Sequence, residues 1–283
     1  GDPSLAWVRK ASSSAPIDVG LIVAASYCGE GMVYLATRRP QLVGHMGYPA
    51  KQPANTVLSA RAAVAAGADM VEIDVSVTVD GHAIAIHGPY LDQTTTGTGR
   101  VAKAPLGDIK SLGITSEGEV VAGVDVPLVS DIVDAVEDVS FNFDLKSSAA
   151  RDVVLALIAD RQMAHRCVIS GATAWQVGKI RRSAPDVTVL LNLNRFDKVV
   201  AATGFGARWL VLRYRRLLRK PEVAALNIHH TWLTADLVAR VADLGSEVWA
   251  FTVDQQADVD RLVSLGVASI TTNRVGEVEL DRP

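Results

Sequence analysis

Carboxylates interrupt apolar runs of this 283-residue sequence where strands would otherwise carry only hydrocarbon side chains. The run Met70-Val71-Glu72-Ile73-Asp74-Val75 sets Glu72 and Asp74 two residues apart, and the two-residue period of a strand turns both side chains to one face. Phe141-Asn142-Phe143-Asp144-Leu145-Lys146 repeats the device with Asp144 and Lys146. Burying a carboxylate without a partner costs several kcal/mol. Three that converge call for a cation, and a hard divalent ion with oxygen ligands, Mg2+ or Ca2+, is the least costly choice. His45 and His87 add two imidazoles, the side chain whose unperturbed pKa suits both acid and base near neutral pH.

Those residues do chemistry only if the fold gathers them. Short β-branched runs alternate with Ala-rich stretches carrying apolar residues at helical spacing, the pattern of parallel βα units. Strands are predicted at Gln41–His45, Met70–Val77, Ser140–Lys146, Arg166–Gly171, Thr188–Leu193, Arg208–Arg213, Glu247–Val253 and Ala268–Asn273. Helices are predicted over Thr56–Ala66, Ala149–Met163, Ala174–Ser183, Ala235–Leu244 and Ala257–Leu265, with Gly67, Gly245 and Gly266 ending three of them. Eight strands in series favour a closed α/β fold, the (β/α)8 TIM barrel, over an open doubly wound sheet. A barrel collects catalytic groups at the C-terminal ends of its strands, which brings Glu72, Asp74, Asp144, His45 and His87 to one rim. Residues 78–139 are too long for a simple connection and are read as a small excursion, opened by the turn signal Asp80-Gly81 and running through His82–His87. The expected domain plan is one barrel over 41–283, preceded by an N-terminal extension at 1–40.

Composition narrows the class of partner. With 28 basic and 31 acidic residues the net charge is −3, which gives no general attraction for nucleic acid. The uncharged run between Asp18 and Glu30 is too short to span a bilayer. The chain opens on Gly1 and not Met, so removal of an upstream presequence is left open, and with it the choice between cytoplasm and secretion. Cys28 and Cys167 form no metal or redox motif and read as free buried thiols, with a single disulfide as the alternative. His82, His165, His229 and His230 read as surface or capping residues. The basic run Arg213–Lys220 reads as a solvated face, with Arg213, at the end of a predicted strand, able to reach a phosphate.

Between about Gln41 and Arg274 the sequence resembles the glycerophosphodiester phosphodiesterases, whose relatives include the sphingomyelinase D-like phospholipases of spider venom. The resemblance rests on Gly67-Ala68-Asp69-Met70-Val71-Glu72-Ile73-Asp74-Val75, then Thr78-Val79-Asp80-Gly81, then His87 with Leu91-Asp92-Gln93-Thr94-Thr95-Thr96-Gly97-Thr98-Gly99. Phe143-Asp144-Leu145-Lys146, Phe251-Thr252-Val253-Asp254 and Ile270-Thr271-Thr272-Asn273 add weaker echoes. It implies a TIM barrel that hydrolyses a small phosphodiester, with Glu72, Asp74 and Asp144 as metal ligands and His45 and His87 as the acid and base pair. Lys146 would neutralise the phosphate, and Phe251, where the family has Trp, would face the substrate with Arg213.

Departures cluster in the same place. The family's His-Arg-Gly is His45-Met46-Gly47, and its Pro-Glu-Asn-Thr is Pro53-Ala54-Asn55-Thr56. The family's Glu is Asp144, the Asp after its second histidine is Gly88, and the Asp near its last strand's end is Asn273. Loss of an Arg and a Glu together is what mutual service predicts, since losing one alone would strand a charge. The expectation is therefore a metal-dependent phosphodiesterase with altered substrate choice. Two rivals share the pocket: attack by an internal hydroxyl to give a cyclic phosphate, and a barrel that binds a phosphorylated ligand without turnover.

Overall fold

A computed structural model of the chain describes residues 40–280 except Glu137, 202–204 and 220–222. Of the expected extension at 1–40, residues 1–39 thus lie outside the described residues, and Cys28 with them. In chain order the elements are β1 Gln41–Gly44, α1 Val57–Ala65, β2 Met70–Val77, β3 Ala83–Ala85, α2 Leu106–Lys110, β4 Thr115–Ser116 and β5 Glu119–Val120. There follow α3 Val129–Ala135, β6 Ser140–Leu145, α4 Ser148–Asp160, β7 Cys167–Ser170, α5 Ala174–Ser183, β8 Thr188–Asn192, α6 Arg195–Ala201 and α7 Gly206–Leu218. The last are β9 Ala225–His229, α8 Ala235–Ala242, β10 Glu247–Phe251, α9 Gln256–Leu265 and β11 Ser269–Thr272.

Strands β1, β2, β6, β7, β8, β9, β10 and β11 pair in that order, all parallel, and β11 returns to β1, so the sheet closes into a TIM barrel. Side-chain alternation divides each strand. Val71, Ile73 and Val75 of β2 and Phe141, Phe143 and Leu145 of β6 belong to the main core between sheet and helices. The opposite parity fills the barrel interior. Its lower layer is hydrocarbon, with Val43, Met70, Val168, Leu190, Ala225 and Trp249 packed together. Continuing each strand by two residues toward its C-terminus replaces these with His45, Glu72, Ser170, Asn192, Asn227 and Phe251. The polar rim thus stands on an apolar plug.

Local chemistry fixes the helix starts and stops. Thr56 caps α1 by accepting from the Ser59 amide at 3.1 Å, and Ser147 and Thr234 do the same for α4 and α8. Gly266 ends α9 at φ 79°, a left-handed conformation that costs a glycine little. The excursion is real. β3 runs antiparallel to β2 and pairs Ala85 with Val75, while Ile84, Ile86, Leu91, Val101, Ile109 and Ile114 give it a small core of its own. Cys167 is a buried free thiol, as expected, and burial pushes its pKa up to about 12. No helix among the described residues is long and apolar enough to cross a membrane.

One predicted strand is wrong. Arg208–Arg213 lies inside α7, and the strand that completes the barrel is Ala225–His229. A short apolar run cannot be assigned by periodicity alone. In α7 the buried residues Leu210, Tyr214 and Leu218 recur every four positions, which is a helix face. Asn227 in the middle of β9 hid that strand by breaking its apolar run, because its side chain belongs to the polar interior.

Candidate active site

Register brings the expected carboxylates together. Asp74 pairs with Asp144 across β2 and β6, and Glu72 pairs with Asn142 one layer below. Ligand oxygens of Glu72, Asp74 and Asp144 all lie within 4.8 Å of one another. Glu72 and Asp74 are buried, and Asp144 is partly open to solvent. Lys146 closes the cluster: its ammonium is 2.6 Å from Asp74 Oδ1 and also donates to Asp144 Oδ2. It sits among the carboxylates and not apart from them.

The electrostatics of this cluster are unbalanced. Burial, then the charges of Asp74 and Asp144, push Glu72 well above the usual carboxylate range, against the opposing pull of Lys146 and the Met46 amide. Burial also works against the Asp74 anion, but Lys146 and the Asn55 amide outweigh it and hold the group low. Lys146 itself is raised, because Asp144, Asp74 and Glu72 overcome the penalty of its burial. One lysine does not satisfy three carboxylates. The donor set is all oxygen, and Asn142 Oδ1, in register with Glu72, is buried with no hydrogen-bond partner among the described residues. Such a set fits a hard divalent cation.

The loops after β1 and before α1 grip the cluster from above. Met46 N donates to Glu72 Oε2 at 2.7 Å, and Asn55 clamps Asp74 twice, donating from Nδ2 to Oδ2 at 2.8 Å and accepting from the Asp74 amide at 3.0 Å. Met46 and Asn55 both take positive φ, 51° and 57°. Gly47 lets this loop reach α1, since a Cβ there would fall 2.4 Å from Ser59 Oγ.

His45 leaves the end of β1 and stands over Glu72, with Nε2 4.0 Å from Oε2. Its tautomer is set from behind. Asp254 accepts from the Asn273 amide at 2.8 Å, from Asn273 Nδ2 at 2.7 Å and from Thr272 Oγ1 at 3.0 Å. Asn273 Oδ1 is left to face His45 Nδ1 at 2.8 Å. An oxygen acceptor there holds a proton on Nδ1 and turns Nε2 toward the cluster.

His87 follows β3 and is exposed. The preceding Ile86 amide donates to the Asp74 carbonyl at 3.1 Å, and His87 lowers the Asp74 pKa through space. A small cavity between this segment and the loop before α1 is lined by Ala54, Asn55, His87 and Thr94. Gly88 takes φ 82°, and a Cβ there would meet Gln93 Oε1 at 1.8 Å. The aspartate that the resemblance expects next to His87 therefore has no room while Gln93 holds this place.

Across the mouth, Phe251 ends β10 and meets the His229 ring edge-on with centroids 5.9 Å apart. His229 does cap the short turn at His230–Trp232, as a capping histidine should, but it is also the last residue of β9 and so belongs to the rim. Arg213 is not there. It lies on α7, where its guanidinium meets buried Asp197 of α6 at 3.2 Å and stacks over Trp209, so the strand end that made it a phosphate contact does not exist.

Residues 45–277 match the Glycerophosphoryl diester phosphodiesterase family. The chain belongs to that family. Among its curated relatives, a Mycobacterium tuberculosis protein named "Probable glycerophosphodiester phosphodiesterase 1" is 31% identical over 267 residues, covering 85% of this chain and 91% of that one. The glycerophosphodiester phosphodiesterase of Caldanaerobacter subterraneus is 25% identical, covering 82% and 93%. In fold the chain is similar to an Oleispira antarctica phosphodiesterase solved with the product sn-glycerol-3-phosphate, at TM-score 0.69 and 21% identity, covering 85% of this chain and 95% of that one. A Thermotoga maritima glycerophosphodiester phosphodiesterase aligns at TM-score 0.66 and 17% identity, covering 84% and 96%. The family is one of phosphoric diester hydrolases, and this member carries an acidic triad able to bind a metal. Within it, reading the sequence missed Asn55, Asp254 and His229. Asn55 had the best signal, an amide just ahead of a helix cap and beside a departure from the family pattern.

Proposed function

We propose that the chain hydrolyses a small glycerophosphodiester, with a divalent cation held by Glu72, Asp74 and Asp144 and with His45 and His87 moving the protons. The observation that carries this reading is the charge imbalance of the cluster: three gathered carboxylates, two of them buried, share one lysine, and Glu72 is raised well above its usual range. When bound, the cation would polarise the phosphoryl oxygens and offset the negative charge that develops on them. Mg2+ and Ca2+ both suit the oxygen donors.

The chain's own groups supply the rest. Asn273, held by Asp254, keeps the Nδ1 proton of His45 in place and leaves Nε2 to accept a proton over the cluster. His87, exposed at the edge, exchanges with solvent and can return a proton to the leaving alcohol. Lys146 fixes Asp74 and Asp144 and adds positive charge for the phosphate. Phe251 and His229 form the facing wall, where the alcohol portion would lie. Met46, Gly88 and Phe251 stand where the resemblance expects other residues, and we assign to them an altered substrate choice.

The test is turnover of glycerophosphocholine with Mg2+ or Ca2+ and again in EDTA. Loss of activity in EDTA is expected, together with a decrease of about 10²- to 10⁴-fold in His45→Ala and His87→Ala. Equal turnover in EDTA, or full activity in both variants, would remove the mechanism; robust turnover removes the reading as a non-catalytic binder.

A further inference from the structure

We propose that the outward face of α6 and α7 docks the protein onto an anionic lipid surface. This goes beyond the reaction and does not depend on it. Single exposed apolar side chains are ordinary. Here four lie on two touching helices and the residue that precedes the second: Phe205, before α7, is 82% exposed, Val199 69%, Phe196 61% and Leu212 57%. Phe196 packs edge-on against Trp209 with centroids 5.6 Å apart, and Arg213 pairs with Asp197, which joins the helices into one surface.

Charge follows the same face. Leu210, Tyr214 and Leu218 turn inward, so Arg208, Arg215, Arg216 and Arg219 are left outside, all exposed. From Phe205 to Arg219 the sequence holds five arginines and no acidic residue, in a chain of net charge −3. Among the described residues no carboxylate pairs with Arg208, Arg215, Arg216 or Arg219. A molecule negative overall needs such a local face to approach an anionic surface.

The arrangement fits a lipid surface better than an acidic protein. A protein interface is built around a contiguous apolar core with a polar rim. On α7 the exposed Leu212 stands between Arg208 and Arg215, with guanidinium groups on either side, the pattern that suits the boundary between headgroups and acyl chains. α6 begins three residues beyond the end of β8 and α7 leads back to the start of β9, so the face lies along the flank of the barrel.

The experiment is co-sedimentation of the full chain with vesicles of phosphatidylcholine alone and with phosphatidylcholine containing about one third phosphatidylglycerol. Binding to the anionic vesicles is expected to be at least about tenfold tighter, and to fall steeply with added salt. The triple variant R208E/R215E/R216E should weaken it at least about tenfold, and F205S/L212S several-fold, with turnover of a soluble diester unchanged. Absent binding, equal binding to both vesicles, or undiminished binding of the charge-reversed variant would overturn the proposal. So would a dimer in solution that these variants dissolve while vesicle binding is absent, because the face would then belong to a second copy. Should the triple variant fail to fold, the lipid-charge and salt dependence of the unaltered chain still decides.

Discussion

Across the mouth of the barrel, the wall built by β1, β2 and β6 and the wall built by β9 and β10 carry opposite chemistry. The first holds Asp74 and Asp144 in register with Glu72 one layer below and Lys146 just past the end of β6, and Glu72 and Asp74 are reinforced from the loop by Met46 and Asn55. The second ends in the rings of His229 and Phe251, and the carboxylate that follows it, Asp254, is turned to Thr272 and Asn273. Both rest on the same apolar plug. A wall that concentrates like charge is suited to hold a cation and a phosphate. A wall of rings is suited to select by shape what the phosphate carries.

The largest expected effects fall on the charged wall. Glu72→Gln should lower turnover about 10³-fold, since several kcal/mol of transition-state stabilisation would be lost with the cation. Without divalent metal the same variant should melt no lower than the unaltered chain, because it removes a carboxylate whose charged form burial disfavours. A lower melting temperature in the metal-free variant would mean that Glu72 is a structural residue and that the wall is not built for a cation.

The raised pKa of Glu72 has a pH consequence of definite sign. Below that pKa the folded protein keeps Glu72 protonated, and a ligand carboxylate must release its proton. Cation affinity should therefore rise with pH through that range and then level off, and binding should release a proton, as titration calorimetry in buffers of different ionisation enthalpy would show. For the metal-free protein the same shift makes stability fall as pH rises from the ordinary glutamate pKa toward the folded value, because the unfolded chain loses the proton first.

Smaller effects should separate holding from selecting. Asn273→Ala should cost about 10- to 100-fold in kcat by releasing His45, with the ring nitrogen NMR shifts of His45 losing their Nδ1–H signature. On the opposite wall, Phe251→Ala should change KM by about tenfold or less and change it differently for diesters of different alcohols. A uniform loss of kcat on all of them would join the two walls into one catalytic unit and break the distinction.

The same contrast governs what was legible in the sequence. Glu72, Asp74 and Asp144 could be read because a carboxylate at strand spacing inside an apolar run is costly to bury, and a bound cation offsets that cost. The rest depends on distant partners. His45 meets Asn273 from 228 positions away and Asn55 meets Asp74 from 19, so no local spacing gives either pairing, although both amides stand in stretches that the resemblance covers. β9 was missed because Asn227 faces a polar interior, and Arg208–Arg213 passed for a strand because its apolar centre serves a helix face equally well. Arg213 followed that error to the wrong place.

If the β2 and β6 carboxylates form a cation site, crystals grown with Mn2+ and measured near its absorption edge will show it directly. One strong anomalous peak is expected, bounded by Glu72, Asp74 and Asp144 and absent from Glu72→Gln crystals. A peak elsewhere, or none while the Lys146 ammonium remains locked between Asp74 and Asp144, would contradict the assignment.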